Sequence, residues 1–232
     1  MKVFFVEGRY KGNLILPLEL IKELPDRLLL FTTVQYLDLI DQVKEQLRDK
    51  QILNDYLDLL PHSKYKYQVL GCGIKKINID FDAFLYIGDG LFHPKALVLK
   101  NNKPCFCYNP IQENFFTITS KDIEKITKKQ QGALIKFIES KNIGILMSTK
   151  FGQRWNQEEL EKIESKFNDK NFYYLISDEI SAQRLQDFNY IEVFVNTACP
   201  RIALDDYSQF TKPVLNISTL LEFIELEKQQ KN

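Results

Sequence analysis

Two cysteines in this chain sit where chemistry is commonly done. The run Asn196-Thr-Ala-Cys-Pro-Arg-Ile-Ala-Leu-Asp-Asp206 follows the apolar stretch Ile191–Val195 and sets Cys199, Arg201, Asp205 and Asp206 at a strand end. Ligands of open α/β sheets bind at carboxyl ends of strands, where the backbone leaves the sheet and opens a crevice. Leu70-Gly-Cys-Gly73 puts Cys72 just past the apolar run Gln68–Leu70, between Gly71 and Gly73, which let backbone approach a bulky ligand. No C-x-x-C pair exists, so a local zinc knuckle is excluded. Two distant thiols on separate domains can still serve one ligand. The other reading of each is a small buried hydrophobe, the commonest state of an unpaired cysteine. Cys105 and Cys107 flank Phe106 in a strand and point to one face. Such a pair can hold a metal or fill a core.

Other groups extend the inventory. Gly88-Asp-Gly-Leu-Phe-His-Pro94 leaves the apolar run Ala83–Ile87 with Gly88, Gly90, a carboxylate and His93. It can cradle a ligand through backbone N–H groups, or form a tight turn capped by Asp89 and His93. Ser148-Thr-Lys-Phe-Gly-Gln-Arg154 follows the first strand of the second half and offers hydroxyls, cations and the Gln153 amide. Arg201 and Arg154 can clamp a carboxylate or phosphate bidentately, and Asp205 or Asp206 can accept from an ammonium. Ion pairing and helix capping are the alternative uses of these side chains. His62, in Pro61-His-Ser63, reads as a surface loop residue. Neither a G-x-x-x-x-G-K-[ST] phosphate loop nor a G-x-G-x-x-G helix opening occurs, so nucleotide hydrolysis and dinucleotide redox chemistry have no support.

The elements that carry these residues alternate. Short apolar runs at Val3–Val6, Leu28–Thr32, Gln68–Leu70, Ala83–Ile87 and Cys105–Tyr108 read as strands. Pro17–Leu24, Tyr36–Leu47 and Ser120–Ser140 read as helices. The second half continues with strands at Ile143–Met147, Phe172–Ile176, Ile191–Val195 and Val214–Asn216, and helices at Glu158–Phe167, Ala182–Phe188 and Ser218–Glu227. The fold class is α/β, with mostly parallel strands. The halves resemble one another: Asp82–Leu97 lies over Tyr190–Leu204, each followed by a Pro-led strand, and Val3–Arg9 lies over Ile143–Gly152. The chain is therefore expected to form two related domains, 1–118 with Cys72 and 119–232 with Cys199, each a small mostly parallel sheet flanked by helices.

Charge and composition narrow the partners. Lys+Arg and Asp+Glu both number 31, so no global field draws the chain to DNA or a membrane surface. No apolar run approaches the roughly 20 residues of a membrane span, and the expected location is the cytoplasm. Four cysteines in that reducing compartment are read as metal, catalytic or buried thiols, not as disulfides.

Val69–Cys72, Tyr86–Pro94, Ser148–Gln153 and Asn196–Asp206 together resemble the diphthamide synthesis family, in order and spacing. Members of that family are 2-(3-amino-3-carboxypropyl)histidine synthases with three related α/β domains and one 4Fe-4S cluster held by a cysteine from each. The resemblance implies that Cys72 and Cys199 are the ligands of the second and third domains. One iron then stays open for S-adenosylmethionine. Cleavage of its S–Cγ bond gives a 3-amino-3-carboxypropyl radical, which adds to a histidine of the archaeal and eukaryotic translation elongation factor. It further implies a carboxylate-binding role for Arg201 and Gln153, an ammonium-binding role for Asp205, and cofactor-facing positions for Gly71, Gly73, Gly88, Gly90 and His93.

The match begins at the family's second domain, so the resemblance also implies a third thiolate from elsewhere. The favoured source is a separate chain that supplies the first domain, or a homo- or heterodimer partner. Substitution by Cys105 or Cys107 and a non-catalytic accessory subunit are the alternatives. An α/β ligand-binding or scaffold protein without a cluster is the competing class.

Overall fold

The computed structural model describes residues 4, 6–150, 152, 153 and 155–231. They fall into two compact units, Met1–Glu124 and Lys125–Asn232. Each unit holds one sheet.

In the first unit, helix α1 (Leu18–Glu23) ends before Pro25, and strand β1 (Arg27–Thr32) leads through a 3-10 turn (Val34–Leu39) into helix α2 (Ile40–Gln46). A short strand β2 (Gln51–Ile52), a long connection carrying Cys72, strand β3 (Ala83–Ile87) and helix α3 (Phe92–Asn101) follow. Strands β4 (Cys105–Asn109) and β5 (Asn114–Ile118) complete the sheet order β2-β1-β3-β4-β5. All pairings are parallel except the β4–β5 hairpin. Strands covered on both faces read as continuous apolar runs, and β3 is buried at every position. Alternation divides the core. Leu28, Leu30, Leu85 and Ile87 pack with residues of α1 and α2 on one face, and Leu29, Phe31, Phe84 and Tyr86 pack with Leu97 and Val98 of α3 on the other.

One side chain extends the shortest strand. β2 pairs only with Arg27 and Leu28, and beyond it the buried Asn54 amide takes over. Asn54 accepts from Leu30 N–H and donates to Leu30 C=O, both at 2.8 Å. An amide carries the same donor and acceptor as a peptide group, so the edge of β1 stays satisfied without a longer strand.

Helix α4 (Ser120–Glu139) leads into strand β6 (Asn142–Ser148). Then come helix α5 (Gln157–Lys166), strand β7 (Asn171–Ser177), the short helix α6 (Ala182–Leu185) and strand β8 (Val193–Asn196). Helix α7 (Arg201–Leu204), strand β9 (Val214–Asn216) and helix α8 (Ile217–Lys231) end the chain. The second sheet is parallel throughout, in the order β7-β6-β8-β9. This reproduces the β2-β1-β3-β4 part of the first sheet.

That correspondence corrects one internal alignment. β1 holds the place in its sheet that β6 holds in the other, so Arg27–Thr32, not Val3–Arg9, is the counterpart of β6. Of the expected strand Val3–Val6, Val3 and Phe5 lie outside the described residues, and Phe4 and Val6 are exposed and belong to no strand. Besides the short β2 and α7, two longer elements were not expected. β5 forms because Asn109 accepts from Ile111 N–H (2.9 Å) and Gln112 N–H (3.1 Å), turning the chain back on β4. α3 follows the glycine turn directly and ends at Asn102 in the left-handed conformation. The expected strand Gln68–Leu70 is reduced to a single parallel bridge between Gln68 and Thr32.

Gln130 on α4 ties the second sheet together. Its buried amide donates to Ala203 C=O (3.1 Å) and Val214 C=O (3.0 Å) and accepts from Asn216 N–H (3.0 Å). Gln130→Leu leaves three buried backbone groups unsatisfied and should cost about 3 kcal/mol by chemical denaturation. Gln131→Leu at the exposed next position should change stability by less than about 0.5 kcal/mol.

Candidate functional site

Parallel strands deliver their connections to one edge, and the singled-out residues gather at the carboxyl edge of each sheet. In the first unit, Val69 N–H donates to Thr32 C=O (2.9 Å) and Thr32 N–H to Tyr67 C=O (2.8 Å), which anchors the chain beside the end of β1. A 3-10 turn, Gly71–Gly73, follows and presents Cys72 at the surface. Both glycines answer to packing within the chain. A Cβ on Gly71 would lie 1.9 Å from the Phe92 ring, and one on Gly73 would lie 1.8 Å from the Pro61 carbonyl oxygen.

Phe92 thus brings the start of α3 against the Cys72 turn. Beside it, His93 stacks on Tyr86 with ring centroids 6.0 Å apart, and the Tyr86 hydroxyl lies 3.5 Å from His93 Nδ1. The same hydroxyl donates to Asp89 C=O at 3.3 Å. Burial, reinforced by the Asp89 charge, pushes the Tyr86 phenol up, so it remains a neutral hydrogen-bonding group. Gly88 approaches this ring, since a Cβ there would lie 2.8 Å from the Tyr86 oxygen. Gly90 turns with φ 73° and faces open space. Cys72, Gly88, Gly90 and His93 therefore share one edge. His62 is exposed and takes no part in it.

In the second unit, Cys199 leaves the end of β8, half-buried. Its turn is held by amides. Buried Asn196 donates to Cys199 C=O (3.0 Å) and to Asn216 Oδ1 (2.8 Å), and accepts from Ala198 N–H (3.2 Å). Asn216 donates onward to Pro200 C=O at 3.3 Å, and Thr197 fixes the strand end by donating to Leu146 C=O at 2.8 Å. Arg201 and Asp205 pair with each other, Nε to Oδ2 at 3.0 Å across one helical turn. Gln153 follows the end of the neighbouring strand β6 and is half-buried, with its N–H donating to Lys150 C=O. Arg154 lies outside the described residues.

Cys105 and Cys107 differ from the other two thiols. Both are buried in the core face shared with Phe84, Tyr86 and Leu97, with sulfurs 3.8 Å apart. Burial, with Cys107 beside it, pushes the Cys105 thiol well up and keeps it protonated. None of the four cysteines is in a disulfide. Among the described residues, no three His, Cys, Asp or Glu side chains group to hold a metal, and no helix is long and apolar enough to cross a membrane.

One site feature escaped the sequence reading. β1 ends in Thr32 and leads through Thr33 and Val34 to Gln35, as β6 ends in Ser148 and is followed by Thr149, Lys150 and, further on, Gln153. The corrected repeat exposes this equivalence; the alignment on Val3–Arg9 concealed it.

The diphthamide synthesis protein family matches residues 1–231. The 2-(3-amino-3-carboxypropyl)histidine synthase of Methanocaldococcus jannaschii is 36% identical over 152 residues, 63% of this chain and 43% of that protein. The synthase of Pyrococcus horikoshii is 28% identical over 196 residues, 84% and 56% of the two chains. Subunit 1 of the synthase from Kluyveromyces lactis is 31% identical over 195 residues, 82% and 46%. The crystal structure of Dph2 from Pyrococcus horikoshii with a 4Fe-4S cluster matches with a TM-score of 0.70 at 26% identity, covering 86% of this chain and 58% of that one. The chain spans about half the length of the curated relatives it matches.

The burial of the thiols sets an expected labelling pattern. Iodoacetamide applied to the native protein should modify Cys72 and Cys199 only, and all four cysteines once the protein is unfolded. Native modification of Cys105 or Cys107, read by peptide mass spectrometry, would contradict their place in the core.

Proposed function

Because the chain belongs to the diphthamide synthesis protein family, we propose that it takes part in the first step of diphthamide biosynthesis. In this reading it helps transfer the 3-amino-3-carboxypropyl group of S-adenosylmethionine to a histidine of the translation elongation factor. Cys72 and Cys199 act as thiolate ligands of a 4Fe-4S cluster. The observation that carries the reading is the sorting of the thiols. Two of the four lie at carboxyl edges of parallel sheets, one in each unit, and the other two are sealed in a core.

The donor set suits such a group. Thiolates are the ligands iron–sulfur clusters require, and Cys72 and Cys199 lie outside the apolar core. Cys105 and Cys107 cannot replace a missing ligand while the fold is intact, because burial keeps Cys105 protonated and both sulfurs face apolar neighbours. A third thiolate is therefore not among these four cysteines. When bound, the cluster supplies the electron that cleaves the S–Cγ bond of S-adenosylmethionine.

The remaining residues bind and orient. Asp205 accepts from the Arg201 Nε–H and so orients the guanidinium, the group suited to a carboxylate such as that of the methionine moiety. Asp205 thereby acts on the ligand through Arg201 instead of binding the ammonium itself. The Asn196–Asn216 pair fixes the Cys199 turn from beneath, as the supporting partners of metal ligands do.

Anaerobic reconstitution with iron and sulfide tests the ligand assignment. Cys72→Ser and Cys199→Ser should each lower the thiolate-to-iron charge-transfer absorbance, whereas Cys105→Ser and Cys107→Ser should leave it unchanged. Loss confined to the Cys105 or Cys107 variants would overturn the assignment. Arg201→Ala should weaken S-adenosylmethionine binding by about tenfold, the loss expected when a charged hydrogen bond is removed. Wild-type affinity in that variant would remove Arg201 from the site.

A further inference from the structure

Among the described residues, the second sheet has one edge that no other element closes. Native proteins keep outer strands short, charged or covered, because their free N–H and C=O groups recruit further strands. In the first sheet β2 is two residues long, and the Asn54 amide closes the edge beyond it. In the second sheet β9 has three residues, all buried. β7 fills the place of β2 but runs for seven residues, Asn171–Ser177, with no charge and no proline. Its one strand partner among the described residues is β6. Tyr174 and Ile176 on it are 45% and 57% exposed.

The ladder shows which groups of β7 are left over. Asn171 N–H donates to Lys141 C=O, and Ser177 C=O accepts from Thr149 N–H, so the odd-numbered residues direct their backbone groups at β6. In a parallel pair the alternate residues turn theirs away. Here these are Phe172, Tyr174 and Ile176, whose side chains share one face. The strand is also its own complement. Set antiparallel to itself about Tyr174, it puts Asn171 opposite Ser177, Phe172 opposite Ile176 and Tyr173 opposite Leu175. Outward-facing residues then meet one another, and each free N–H finds a C=O. Past the strand ends Lys170 falls opposite Asp178, positive against negative. One place further out, Asp169 is already paired with Lys141 at 3.0 Å. β5, the uncharged outer strand of the first sheet, lacks this symmetry: about its centre, Asn114 falls opposite Ile118.

We propose that β7 pairs antiparallel with β7 of a second copy of this chain, joining the two second sheets across a two-fold axis at Tyr174. A two-fold interface presents the same patch from both sides and so requires a self-complementary strand. The pairing sets the two Tyr174 rings opposite one another and Ile176 opposite Phe172 of the other copy, cross-strand contacts of the kind that stabilise sheets. It thereby covers the two exposed apolar side chains of β7. β8, which leads to Cys199, lies inside this edge beyond β6, so the pairing stands independently of the function proposed above.

Charges placed at the axis test the pairing. Sedimentation in reducing buffer, where the exposed Cys72 cannot cross-link copies, should give the full chain twice the mass of one copy. Tyr174→Lys and Tyr174→Glu each set like charges opposite one another and should weaken the dimer about tenfold, with unchanged far-ultraviolet circular dichroism. Mixed in equal amounts, the two variants should form a dimer with one copy of each, since Lys then faces Glu. Phe116→Lys, on the outer strand of the first sheet, should leave the dimer intact. Should a Tyr174 variant unfold, Ile176→Lys, at the more exposed side chain, should weaken the dimer in its place. A monomeric wild-type protein would overturn the proposal and leave the edge to a strand of another protein. A dimer that survives these β7 variants, or folded Tyr174 variants that stay monomeric when mixed, would overturn it too.

Discussion

A parallel strand cannot be followed by its neighbour without a crossover, so every parallel connection returns to the same end of the sheet. The site depends on this constraint. In the first unit it brings the segment anchored beside Thr32 and the turn after Ile87 to one edge. In the second it brings Gln153, after β6, to the edge where Cys199 leaves β8. No local motif links these residues; topology alone makes them neighbours.

Polar side chains then convert loose loop ends into fixed positions. Gln130, Asn196 and Asn216 satisfy the backbone around β8, α7 and β9 and leave little freedom to the Cys199 turn. Asn54 does comparable work at the opposite side of the first sheet. Each amide carries both a donor and an acceptor, which suits it to mending the edges of two small sheets whose strands range from two to seven residues. The Cys72 turn is held differently, by close packing of two glycines against Phe92 and Pro61. The two thiols also occupy different connections. Cys72 precedes the third strand of its unit, and Cys199 follows the corresponding strand of its own. The duplicated fold has therefore placed its thiols independently in each copy.

Much of this was legible in the sequence because its signals are local. Continuous apolar runs marked β1, β3, β6 and β8, and the period of α4 stood out over its whole length. The four motifs Val69–Cys72, Tyr86–Pro94, Ser148–Gln153 and Asn196–Asp206 together carried the family resemblance, and the family match over residues 1–231 agrees with it. The α/β class with two mostly parallel sheets was readable for the same reason. What escaped depends on contacts distant in sequence. β5 needs the Asn109 turn to fold back on β4, α3 hides behind a glycine turn, and the pairing of Arg201 with Asp205 uses groups that sequence alone offers equally to a ligand. The misplaced counterpart of β6 has the plainest cause. Val3–Val6 and Leu28–Thr32 are both short apolar runs, and only strand order distinguishes them.

The central claim is that Cys72 and Cys199 ligate iron, and X-ray absorption at the iron edge reads those bonds directly. On protein reconstituted anaerobically, Cys72→Ser and Cys199→Ser should each exchange a sulfur scatterer for an oxygen in the iron's nearest shell. A nearest shell identical to that of the wild-type protein in both variants would contradict the account.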